Sequence, residues 1–165
     1  MNLVTFYRNE AADYRSRWLS ELWAYSNEQL EQHHDFIQVL FPLAEESFYN
    51  AKAPVLEGAM IETFRGDRTI QQNLLRSLEV MLAFYGFTLD RENKLVAPAD
   101  NFAARAENWL FPNDHNHLRI TRILKCLMLC GLQDYARAFH AALVRVVRPS
   151  NVTAETLRFW ENAVR

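Results

Sequence analysis

Glycine and proline are scarce, four and five in 165 residues, so the composition leans toward helices, and no low-complexity stretch or inter-domain linker is evident. Cysteine is scarcer still. Cys126 and Cys130 stand four apart, without the CxxC spacing of a redox or zinc motif, and read as two small buried side chains. No apolar stretch approaches the roughly 18 residues of a membrane span, and residues 1–25 mix charge with aromatics instead of forming a signal-peptide core. A reducing, cytoplasmic setting is therefore expected. There is no basic excess either. The net charge of −2 gives bulk electrostatics no reason to attract nucleic acid.

What is present is a sizeable core. Half the residues are apolar and 23% are charged, which argues against disorder, and 165 residues suit one domain spanning 1–165. Charge is unevenly spread. Residues 1–50 hold three arginines against eight acids, whereas 119–148 hold five arginines and one lysine against one aspartate. Part of that opposition is expected to close inside the fold.

The chain is organised around His115–Gly131, HNHLRITRILKCLMLCG. Asn113 or Asp114 can cap this helix and Gly131 can end it. Ile123, Leu124 and Leu127 fall within about 60° of Ile120 on the wheel, a core stripe. Leu118, Cys126 and Leu129 occupy the other side, so burial nearly all round is expected. Arg119 and Arg122 nevertheless sit on it, one turn apart. Each must reach water along its stem or meet acceptors inside.

Elsewhere the apolar spacing predicts helices over 10–24 (Tyr14, Trp18, Leu22), 28–41 (Leu30, His34, Ile37, Phe41), 56–64, 69–85, 100–109, 133–147 and 153–164. Residues 3–8 are either an extended arm or the lead into the first helix. Residues 42–57, with two prolines, read as a long ordered loop that must pack Phe48 and Tyr49. An aromatic or two from 41–49 can wall a peptide-sized groove. Residues 87–96 form a small hairpin around 91–93 or an extended loop. The expected fold is all-α, a compact orthogonal bundle of about six to eight helices without sustained heptads.

Three segments, LEQHHDFIQVLFPL (30–43), LRSLEVMLAFYG (75–86) and HNHLRITRILKCLMLCGL (115–132), together with Phe6-Tyr7 and Asn50, resemble the conserved domain of the opioid growth factor receptor family. The resemblance covers about residues 5–145 and implies an all-helical unit. Animal members are regarded as receptors for an enkephalin-type peptide, are associated with the nucleus and carry further repeats or tails. This chain resembles the compact single-domain form. It departs from the family pattern at Val39, where the family places a Trp, so a pocket lined by that indole is not expected unchanged. The resemblance brings no catalytic residues with it.

Candidate ligand-binding residues are Arg119, Arg122, His34, His115, Glu31 and Asp35, charged or imidazole groups in otherwise apolar segments. The two arginines can present both forks to one anion, or pair internally with Glu31, Asp35 or Glu79. His33, His34, His115 and His117 lack the HExxH spacing, so no metal and no cofactor are expected. The leading expectation is a binding module for a peptide, a protein or a small anionic ligand. The alternative is a hydrolase-like enzyme with a His/carboxylate pair and an arginine clamp. No nucleophile elbow, phosphate loop or dinucleotide fingerprint supports that alternative.

Overall fold

The computed structural model describes residues 1–165. In chain order its helices are α1 (Leu3–Tyr7), α2 (Leu19–Trp23), α3 (Asn27–Gln32), α4 (Ile37–Leu40), α5 (Gly58–Gly66) and α6 (Arg68–Tyr85). A hairpin of β1 (Phe87–Asp90) and β2 (Leu95–Pro98) follows. It precedes α7 (Phe102–Ala106), α8 (Asn116–Leu129), α9 (Gln133–Val146) and α10 (Ala154–Ala163). The fold is all-α with one small antiparallel hairpin, registered Phe87 opposite Pro98 through Asp90 opposite Leu95. The ten helices exceed the expected six to eight because the N-terminal third is cut into short pieces.

The long helices follow the apolar pattern. In α6, Ile70, Leu74, Ser77, Leu78, Met81 and Tyr85 are buried, and the Asp67 side chain caps the start by accepting from Ile70 N. Gly86 ends it at φ +89°, where an added Cβ would lie 2.9 Å from Phe102 Cα. Helix α6 packs on α1, α2, α5, α7 and β1, while α8 packs on α9 and α10, and α9 on β2. One continuous core joins them, with Trp109, Trp160, Tyr85 and Phe139 among its largest side chains. Two indoles also bind main chain: Trp109 Nε1 donates to Tyr85 O at 3.0 Å and Trp160 Nε1 to His117 O at 3.2 Å. Helix α8 is less uniformly buried than its composition suggests, since Leu118 is 54% exposed.

The N-terminal third departs from the apolar pattern. The helix expected over 10–24 shrinks to α2. The buried Asp13 carboxylate accepts from Arg15 N, Arg17 N and Arg17 Nε, and Ser16 adopts φ +62°. A side chain that competes for backbone N–H groups replaces the helix with a tight loop. Trp18, expected on the core stripe, is 42% exposed. The helix expected over 28–41 is broken between α3 and α4, where His33 takes an extended backbone (φ −87°, ψ 135°). Residues 42–57 are an irregular loop tied by one parallel bridge between Leu43 and Val55. Its Leu43 and Leu56 are buried, but Phe48 and Tyr49 project into solvent instead of packing.

Candidate functional site

The break between α3 and α4 is stable because side chains answer its main-chain carbonyls one by one. Arg119 Nη1 donates to Leu30 O at 2.8 Å and Arg119 Nη2 to His33 O at 2.7 Å. The Gln38 amide, with its nitrogen toward them, donates to His34 O and Asp35 O, both at 3.1 Å. Tyr7 Oη donates to Leu40 O, and Arg122 Nη1 to Phe41 O at 2.8 Å. Two arginines one turn apart on α8 therefore cap the C-terminal ends of two successive helices. A cation there also suits the negative end of each helix dipole.

This corrects the expected pairing of these arginines. Neither meets Glu31, Asp35 or Glu79, because each carboxylate is engaged elsewhere. Asp35 binds Arg15 and Arg17, Glu79 binds Arg91 and Arg76, and Glu31 lies 3.0 Å from His115 Nε2. Nor do the two forks converge on one point, since Arg119 serves the α3 end and Arg122 the α4 end. Burial without a carboxylate partner holds the Arg122 guanidinium below its ordinary pKa.

Four of the six candidate residues do come together. Arg119, 5% exposed, reaches His34 Nδ1 at 3.3 Å and Asn116 Oδ1 at 3.3 Å, with Cζ 5.4 Å from the Phe36 ring centroid. The His34 and His115 rings meet edge to face at 5.5 Å. His115 bridges to Glu31, which also accepts from Asn116 Nδ2 at 3.2 Å. Asp114 completes the start of α8 by accepting from Asn116 N at 2.9 Å. Asp35 stands beside the cluster on its arginine pair, and Arg122 lies apart from it.

The cluster backs onto an open groove of about 680 Å³. Gln32, His33, His34 and Asp35 form its floor. The Asp13 loop contributes Tyr14 and Arg15, and the 42–57 loop contributes Tyr49, Asn50 and Lys52. Three irregular segments thus meet around one depression, and Asn50 Nδ2 ties two of them by donating to Tyr14 Oη at 2.8 Å. Of the aromatics expected to wall a groove, Tyr49 does so, while Phe41 is buried and Phe48 points into solvent. Val39 is fully buried and takes no part in the lining. Arg15 and Lys52 escaped sequence reasoning. The one signal available was local sequence: Arg15 directly follows Tyr14, and Lys52 lies three residues after Tyr49.

Electrostatics sharpen the site. Burial, then the charges of Arg119 and His115, lower the pKa of His34. The guanidinium has no acceptor, so His34 Nδ1 must accept and the ring proton sits on Nε2. Burial alone would raise Asp35, but hydrogen bonds and charge from Arg17 and Arg15 outweigh it and hold the carboxyl below its ordinary value. No three His, Cys, Asp or Glu side chains are placed to hold a metal ion. Cys126 and Cys130 are buried with sulfurs 3.9 Å apart, and burial pushes the Cys126 thiol well up.

A family model described as the opioid growth factor receptor (OGFr) conserved region matches residues 1–165. The opioid growth factor receptor of Mus musculus is 40% identical over 147 residues, which cover 86% of this chain and 22% of the relative. The Homo sapiens receptor is also 40% identical over 147 residues, 86% of this chain and 21% of its own. Opioid growth factor receptor-like protein 1 of Xenopus tropicalis is 34% identical over 135 residues, 82% of this chain and 25% of its own. The chain therefore spans about a quarter or less of these relatives. No solved structure matches it.

Proposed function

We propose that this chain, which belongs to the opioid growth factor receptor conserved-region family, is a helical binding module whose groove beside the α3–α4 break receives a peptide segment. The observation that carries the reading is the way the groove is held. Its floor is irregular backbone, fixed from behind by a buried arginine that makes four polar contacts. Irregular backbone held this rigidly presents polar groups in fixed directions, which lowers the ordering needed on binding. The volume lies within the roughly 300–1,000 Å³ of ligand sites. The relatives' names speak of a receptor for opioid growth factor, and a peptide-sized groove on the shared domain agrees with a receptor's task.

A titration of the isotope-labelled chain with opioid growth factor, followed by NMR, tests this. Saturable shifts are expected at His33, His34, Tyr49 and Lys52, with α9 and α10 unmoved. Shifts confined to α9 and α10, or none at millimolar ligand, would count against the groove.

A further inference from the structure

We infer that the groove selects peptide segments bearing carboxylate side chains, an inference that rests on the groove being the binding site. The argument follows from which hydrogen-bonding atoms the lining has already committed. Asp35, its one carboxylate, has one oxygen taken by Arg15 and the other by Arg17. Asn50 Oδ1 accepts from Lys52 N, and Asn50 Nδ2 donates to Tyr14. Gln32 gives its amide nitrogen to Glu28 Oε1 at 3.1 Å.

What remains is mostly donors. Tyr14 Oη already receives a hydrogen bond, so its own proton is left for a ligand. His34 accepts at Nδ1 and therefore offers Nε2–H. Lys52 Nζ makes no ion pair within the chain, although Lys94 and Lys125 each hold a carboxylate. Arg15 is 58% exposed and has further N–H groups beyond the one on Asp35. Gln32 Oε1 is an uncommitted acceptor, and the side chains of His33 and Tyr49 can each donate or accept, but two cationic groups, Arg15 and Lys52, face a single carboxylate, Asp35, that is already paired. A ligand of matching chemistry brings acceptors, and a carboxylate takes an ammonium and neutral donors together.

The rim decides what carries that carboxylate. Tyr49, part of the lining beside the donors, is 82% exposed. A free anion would leave that ring in water. An extended peptide lays an apolar side chain on it while its acid enters the groove. Arg119 is the positioning residue, since it sets which nitrogen of His34 carries the proton.

The test uses the intact chain and three probes followed by NMR. They are an acetylated, amidated Glu-Phe-Glu-Gly peptide, its Gln-Phe-Gln-Gly counterpart and inorganic phosphate. The glutamate peptide is expected to shift His34, Tyr14 and Lys52 and to bind about tenfold tighter than the glutamine peptide, the gain of one charge-assisted contact. Lys52→Met, an exposed change with unaltered circular dichroism, should erase that difference. His34→Gln, which keeps a donor, should retain more of it than His34→Leu. Equal binding of the two peptides in the groove overturns acid selection but leaves a peptide site. Phosphate matching the glutamate peptide overturns the peptide as occupant. No groove shift with either peptide removes the binding site itself.

Discussion

Where α8 meets α9 and α10, Ile120, Ile123, Leu124, Leu127, Phe139 and Leu143 are fully buried. Where the same helix meets residues 27–41, the contact is made by Arg119 and Arg122 reaching main-chain carbonyls. One helix thus holds two regions by two different forces. The first is non-directional and tolerates small shifts, because any apolar neighbour serves. The second is directional and fixes individual carbonyls. The groove lies beside the second region. Preorganised polar recognition needs directed contacts, and an unbroken α3–α4 helix would have turned its carbonyls inward on itself.

The largest expected effect breaks the apolar side. Phe139 stacks on Tyr85 at 6.3 Å and meets Phe87 edge to face at 6.0 Å. Phe139→Ala leaves a cavity among them and should cost about 3–5 kcal/mol in urea unfolding. All amides should lose hydrogen-exchange protection together, since the core is one cluster.

A smaller effect should follow on the polar side, with a different distribution. Arg119→Met orphans Leu30 O and His33 O and should cost about 2–4 kcal/mol. Protection should fall first over 27–41 and only later in α9. Arg122→Met should cost only about 1 kcal/mol. It orphans Phe41 O alone, and it removes a buried cation that has no carboxylate partner. Equal losses for the two arginine variants would mean that capping is not what makes them matter.

The same contrast explains what could be read in the sequence. Helices α6, α8, α9 and α10 repeat apolar residues at helical spacing, with Asp67 and Thr153 capping the starts of α6 and α10 and Gly86 and Gly131 closing α6 and α8, so type and bounds were legible. Residues 10–41 carry comparable spacing, yet Asp13 takes N–H groups and Arg119 takes carbonyls that a helix would have used. Those bonds span up to 89 residues and leave no local trace. The meeting of Arg119, His34, His115 and Glu31 was legible as polar groups on apolar segments. Their partners were not, because a main-chain carbonyl exists at every position and no residue type marks the one that is used. Tyr14, Arg15 and Lys52 join the groove through loop paths that apolar spacing does not encode.

The smallest expected effect is a pH dependence that sharpens the comparison at His34. Arg119, His115, Glu31 and Asp35 face this ring, and its pKa is lowered by burial and then by Arg119 and His115. A lowered folded-state pKa means that the unfolded chain binds the proton more readily. The stabilisation is therefore complete above the ordinary value of 6.5 and is lost as pH falls through the folded value. His117 and His140 shift in the same direction, chiefly through burial, and add to the slope. His34 differs from them in its partner: protonating Nδ1 removes one of the two acceptors of Arg119 Nη2 and leaves only His33 O. The drop in Tm between about pH 8 and about pH 5.5 should accordingly be smaller in His34→Gln than in the parent chain. Hydrogen exchange should assign the difference to 27–41, where the capped carbonyls lie. An unchanged slope in that variant would show that His34 is a bystander to Arg119, leaving the main-chain carbonyls alone to hold the groove floor.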